Sequence, residues 1–136
     1  MNNNYIEMIN EKRAKGYNCA QAVACAYCHL FGVEEKEAFR AMEGFGGGMG
    51  VMGVCGAVSA MAYLAGLKNS DANLEQPKTK AETTKLSKAM HNKFLEKNQS
   101  VICKELKGVD TGKVLRSCQG CVEDAGRIIE EVLLAE

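Results

Sequence analysis

The chain has 136 residues, 46% of them apolar and 25% charged, and seventeen basic side chains balance seventeen acidic ones. That length suits one domain spanning residues 1–136 and is short for two. Zero formal charge argues against a nucleic-acid binder, which carries a basic excess, and the ordinary apolar fraction argues against a disordered chain.

Helical signals follow one another along the sequence, and no segment alternates with the period of a half-buried strand. The first helix is expected from about Asn4 to Lys15, capped by Asn4, with Glu7 at the capping-box position and Gly16 as its stop. Asn18 caps a second helix through about Phe31, and a third covers about 34–43. A glycine-rich loop, 44–53, then leads into a fourth helix from Cys55 to Leu67. Pro77 suits the first turn of a fifth helix reaching about Asn98. A short turn, 101–106, follows, and the last helix runs from Lys113 or Ser117 to Leu134. Its apolar stripe is Val122, Ala125, Ile129, Val132 and Leu133. The expected fold is an all-α single-domain bundle of about five to six helices with a glycine-rich loop.

Residues 44–67 form an uncharged run of 24, long enough by count to cross a bilayer. Glycine fills seven of its first thirteen positions, however, and irregular backbone is not tolerated in lipid. The helical remainder spans roughly 20 Å, too little to cross. No membrane span is expected. The N-terminal Met1-Asn-Asn-Asn-Tyr-Ile-Glu has neither a basic nor an apolar region, so no signal peptide is read and the expected setting is cytoplasmic.

Seven cysteines are the feature that composition singles out. In a reducing compartment they serve as ligands, redox groups or core filler rather than as a disulfide framework. Cys19, Cys55, Cys103 and Cys118 each fall at an expected helix start. There the positive end of the helix dipole favours thiolate, which is both the nucleophilic and the metal-ligating form. Any one of them could equally be a buried filler. Cys121 completes Cys118-Gln-Gly-Cys121, a C-x-x-C that fits a redox dithiol or half a metal site, or simply a core position. Cys25 and Cys28 lie inside the second helix and read as packing residues. His29 and His91 read as surface or core residues.

Two motif matches lack their context. Cys25-Ala-Tyr-Cys28-His29 has the letters of a c-type haem attachment site, but haem is attached after export and this stretch is helical. Gly48-Met-Gly-Val-Met-Gly53 matches G-x-G-x-x-G without the preceding strand that a dinucleotide site needs. The glycines have another reading. Gly46, Gly47, Gly48 and Gly50 would let the backbone approach a cofactor held by Cys55, whereas close helix packing would need nothing more than a flexible hairpin.

The segments Gly16-Tyr-Asn-Cys19-Ala-Gln-Ala-Val, Gly44-Phe-Gly-Gly-Gly-Met-Gly, Val54-Cys55-Gly-Ala-Val-Ser-Ala60, Cys103-Lys-Glu-Leu and Cys118 ahead of Val122-Glu-Asp-Ala resemble, in that order, the redox-active C_GCAxxG_C_C family. The resemblance maps the family's four signature cysteines onto Cys19, Cys55, Cys103 and Cys118. It implies a small helical redox protein, often associated with transporter genes. Where the family's second motif ends in glycine, this chain has Ala60.

Three functions are therefore expected in turn. The first is a centre in which Cys19, Cys55, Cys103 and Cys118 ligate an iron–sulfur cluster or another soft metal for electron transfer. The second is a metal-free thiol–disulfide couple among the same four redox thiols, with Cys121 as a candidate resolving thiol. The third is a structural zinc or helical interaction module associated with a transporter. The redox partner is unknown, and self-association into a homo-oligomer is left open.

Overall fold

The structure, a computed structural model, describes residues 4–135. α1 (Tyr5–Ala14) starts as its sequence directs: the Asn4 side chain accepts from the Glu7 N–H at 3.0 Å and donates to the Glu7 carboxylate. α2 (Cys19–Tyr27) opens with a reciprocal capping box between Asn18 and Gln21. It ends earlier than expected, giving way to a tighter helical turn, Cys28–Phe31, that Gly32 closes in the left-handed region. α3 (Glu35–Met42), α4 (Gly56–Asn69) and α5 (Lys80–Asn98) follow. Pro77 lies in the connection, three residues before α5, rather than in its first turn.

The short turn expected at 101–106 is a helix in its own right, α6 (Cys103–Lys107), and α7 (Cys118–Val132) ends the fold. Among the described residues seven helices thus replace the expected five or six. They contain no strand, only an isolated antiparallel bridge between Val54 and Ile102. No helix among them is long and apolar enough to cross a membrane.

α2 is the central element. Every residue from Ala20 to Tyr27 is buried, because the helix packs against α1, α3, α4 and α7 at once. Its alanines make this possible, since small side chains let four neighbours approach. α4 presents Ala57, Ala60, Met61, Leu64 and Ala65 to the same core, and α7 adds Val122, Ala125, Ile128 and Ile129. Ala60, where the resembling family has glycine, is fully buried.

The glycine run is not an open loop. It folds into a short turn, Glu43–Phe45, and a second tight turn, Gly48–Met52. Gly47, Gly48, Met49 and Gly50 are successively left-handed, and the Gly53 N–H closes the turn on the Gly48 carbonyl at 3.0 Å. A side chain at Gly48 would meet the Gly53 backbone at 2.4 Å. Glycine is required there on both counts. Met49 adopts the same conformation with φ 62°, at a cost of roughly 1–2 kcal/mol for a residue with a Cβ.

Candidate functional site

Backbone pairing first joins two cysteines distant in sequence. The Cys55 N–H donates to the Val101 carbonyl and the Cys103 N–H to the Gly53 carbonyl, both at 2.7 Å. These bonds flank the Val54–Ile102 bridge. Successive residues of paired extended segments point to opposite faces. Val54 therefore turns outward, while Cys55 and Cys103 become diagonal neighbours on the inner face.

Helix starts bring in the others. Cys19 and Cys118 are the first residues of α2 and α7, and the Ser117 hydroxyl caps α7 by accepting from the Gly120 N–H at 3.0 Å. One turn further along α7 is Cys121. Together Cys19, Cys55, Cys103, Cys118 and Cys121 line one cavity of about 130 Å³. Cys55, Cys103 and Cys121 are buried, and Cys19 and Cys118 are partly exposed. Gly56 permits the approach of α2: a Cβ there would stand 2.6 Å from Cys19 Sγ and 2.8 Å from the Phe45 carbonyl oxygen.

The five thiols are not equivalent. Cys55, immediately before α4, is drawn down to about 7. The Cys121 thiol donating toward it is the largest influence, and the Ala57 and Val58 amides with Lys107 add to it against the effect of burial. Cys121 is pushed far up by the same pairing, by burial, and by the negative charges of Cys55, Cys118 and Asp124. One sulfur is thus poised to be thiolate and its neighbour to keep the proton. For Cys103 the helix-start argument fails. α6 has only five residues, and burial raises this thiol despite the nearby Lys107.

Charge around the cavity is of one sign. Arg13, Lys107 and Arg116 line it, and no carboxylate does. Arg116 is held from behind by Asp124, whose side chain is fully buried: Nε donates to Oδ2 at 2.9 Å and Nη2 to Oδ1 at 3.1 Å. Lys97, Asn98 and Arg127 complete the set around that carboxylate. Gly120, inside the C-x-x-C, leaves room for the arm, since a Cβ there would meet Arg116 Nε at 2.4 Å.

Burial alone would raise Asp124, but Arg116, Lys97 and Asn98 outweigh it and hold the carboxyl below its ordinary range. An acid held low in the fold stabilises above its unfolded pKa, about 4 for aspartate. That stability is lost as pH falls through the folded value. Asp124→Asn is expected to remove this component, so thermal melts recorded across about pH 2–5 should show a shallower acid loss than the parent chain.

None of these basic residues carries a sequence signal of its own. Asp124 falls in the Val122-Glu-Asp-Ala segment that follows the C-x-x-C, and Arg116 lies just ahead of that motif. Of the glycines proposed to cradle a cofactor, Gly47 lines the cavity. Gly46 instead abuts the Asn18 side chain, Gly48 packs on Gly53, and Gly50 faces open space. Cys25 and Cys28 lie elsewhere in the core: the Cys25 thiol donates to the Glu35 carbonyl at 3.7 Å and the Cys28 thiol to the Cys25 carbonyl at 3.8 Å. Burial raises both thiols, Cys25 to about 12. His29 is exposed, His91 is partly buried, and neither lines the cavity.

All seven cysteines are free thiols. Among the described residues no three His, Cys, Asp or Glu side chains are gathered closely enough to hold a metal ion. The sulfurs surround a volume rather than a point.

Five cysteines of this helical protein thus line one cationic cavity. The family described as "Putative redox-active protein (C_GCAxxG_C_C)" matches residues 17–132. The chain belongs to this family. No curated protein and no solved structure matches it.

The unequal thiols have a direct kinetic signature. Alkylation by iodoacetamide is expected to show one fast thiol whose rate rises with pH to half its maximum near 7, as thiolate is the reacting form. Peptide mapping should place that label on Cys55. A fastest-reacting thiol with a midpoint above about 8.5, the ordinary cysteine value, would contradict the assignment.

Proposed function

We propose that the protein is a thiol–disulfide redox protein in which Cys55 is the attacking thiolate and Cys121 the resolving thiol. The observation that carries this reading is that Cys55 and Cys121 line the same cavity with Lys107, and that the Cys121 thiol, two helix-start amides and Lys107 draw Cys55 down. In the forward direction the Cys55 thiolate attacks one sulfur of a substrate disulfide. An S–S bond forms to Cys55, the substrate S–S bond breaks, and the second substrate sulfur leaves as thiolate. Cys121 gives its proton to that leaving group and attacks Cys55 Sγ. The Cys55–Cys121 disulfide forms and the other substrate sulfur departs as thiolate, taking its proton from water. Two electrons pass from the cysteine pair to the substrate, and two substrate thiols result. Lys107 offsets the negative charge on Cys55 before it attacks.

Equilibration with mixtures of reduced and oxidised dithiothreitol tests the proposal. The expected result is a single two-electron couple, with mass spectrometry of the oxidised form showing the peptides of Cys55 and Cys121 linked. A different linked pair, or no couple, overturns it. Cys25→Ala and Cys28→Ala should leave this couple unchanged and lower stability by about 1 kcal/mol, because each removes a small buried group away from the cavity.

A second reading is favoured by one specific observation: all four signature cysteines line the same cavity, which is larger than a single ion requires. Cys19, Cys55, Cys103 and Cys118 would then hold an iron–sulfur cluster, which would supply one-electron transfer. Arg13, Lys107 and Arg116 would balance its negative charge. Iron and acid-labile sulfide analysis on protein purified without oxygen decides between the two. Stoichiometric iron and sulfide with a visible chromophore would replace the first reading by the second.

A further inference from the structure

Exposed apolar side chains are distributed unevenly over this molecule. Of the eight large hydrophobic residues exposed among the described residues, five sit on the two segments that frame the cysteine cavity. Met49, Val51 and Val54 lie between the cavity residues Gly47 and Cys55 or beside them. Val109 follows Lys107 by two positions, and Val114 precedes Arg116 by two. The two segments adjoin: α6 packs on the Gly48–Met52 turn, and the Leu106 carbonyl accepts from the Leu115 and Arg116 N–H groups. Val51 is 78% exposed and Met49 66%, and Met49 is displayed from a left-handed backbone. Strain retained to expose an apolar side chain is a mark of a contact surface.

Cations outnumber carboxylates on the same rim. Lys107 and Arg13 reach the cavity, and Lys113 lies between the two exposed valines. Of the carboxylates nearby, Asp110 pairs with Lys104 at 3.0 Å and Asp124 with Arg116, and Glu105 is hydrogen-bonded to the Ser100 hydroxyl. In a chain of zero net charge, this face would attract acidic groups. The apolar side chains stand outside the cavity, on two segments, which is more surface than a small molecule covers. An apolar patch beside an excess of cations is the complement of a protein face with a hydrophobic centre and an acidic edge.

We propose that the rim formed by Met49, Val51, Val54, Val109 and Val114, with Lys107, is the docking surface for an acidic dithiol–disulfide protein. The proposal rests on the redox reading for the chemistry of the partner, which exchanges its disulfide with Cys55. Docking itself needs only the surface. A transient complex of this kind forms quickly under electrostatic steering and weakens with salt.

The test uses the full chain, labelled with ¹⁵N, and a thioredoxin of net negative charge as probe. Both redox cysteines of the probe are replaced by alanine, so no thiol exchange enters the readout. Binding is then separable from the redox chemistry, and failure of one leaves the other standing. Amide shifts are expected at 47–54 and 107–116, strong at about 20 mM salt and lost near about 200 mM, where the screening length drops to under 10 Å. Lysozyme, a basic protein, should produce none. Val51→Asp combined with Val109→Asp should weaken binding at least tenfold, while Leu74→Asp, on the connection before α5, should not change it. Absence of shifts, equal binding of lysozyme, or equal loss on Leu74→Asp would overturn the proposal. So would concentration-dependent shifts of the same amides without probe, which would assign the face to a second copy of this chain.

Discussion

Cys55→Ser is expected to remove the two-electron couple and the fast-alkylating thiol, a fall of roughly tenfold in the fastest labelling rate at pH 7, the ratio of thiolate fractions for a thiol near 7 and an ordinary one. The size follows from chemistry. A hydroxyl does not ionise near neutrality even beside the Ala57 and Val58 amides and Lys107, and burial pushes the neighbouring Cys103 thiol up. Cys121→Ser gives the discriminating comparison. Its hydroxyl can still donate toward Cys55, so the reactive thiolate persists while the disulfide cannot form. Rapid labelling together with loss of the couple is the expected phenotype of that variant. If Cys55→Ser retains a reversible couple, the electrons reside elsewhere in the cavity and the proposed pair is wrong.

Gly56→Ala is the substitution expected to damage the fold most for its size. The added methyl would lie 2.6 Å from Cys19 Sγ, 2.8 Å from the Phe45 carbonyl oxygen and 3.2 Å from Ala20 Cβ. A sulfur on a rotatable side chain can move, but the Phe45 oxygen belongs to the backbone. The Glu43–Phe45 turn must therefore move off α4, with a smaller shift of α2 at Ala20. Overpacking of this kind costs about 1–3 kcal/mol, more than the fraction of a kilocalorie that alanine gains over glycine at a helix end. A fall in melting temperature of about 5–10 °C is expected. Because the displaced atom is Cys19 Sγ, iodoacetamide labelling of Cys19 should change in the same variant. An unchanged melt would mean that the packing around Gly56 is looser than it stands.

The order and type of elements were legible because their signals are local. Asn4 with Glu7, Asn18 with Gln21, and Ser117 ahead of Cys118 are caps written within a few residues. α6 was underread for the opposite reason. It is five residues long, too short for periodicity, and it is held by the pairing of Ile102 with a residue almost fifty positions earlier. In the glycine run, glycine density records conformational freedom without recording the hydrogen bond that closes the turn. Four of the cavity cysteines could be singled out from their positions, and the fifth from its C-x-x-C spacing. The cations could not be. Arg13 and Lys107 have no pattern that distinguishes them from solvated charge, and only the folded arrangement brings them to the thiols.

The two hydrogen bonds that flank Val54 and Ile102 act as a clasp over the cavity, joining the end of the glycine turn to the segment before α6. Local opening of the clasp would expose the buried sulfurs to reagents, in addition to the effect of the thiolate fraction. Every tenfold protection of the Cys55 and Cys103 amides against hydrogen exchange corresponds to about 1.4 kcal/mol of opening free energy. A contact that tightens the clasp would slow adventitious oxidation of the thiols, and one that loosens it would admit the reacting disulfide, so the backbone itself sets the gate on the chemistry.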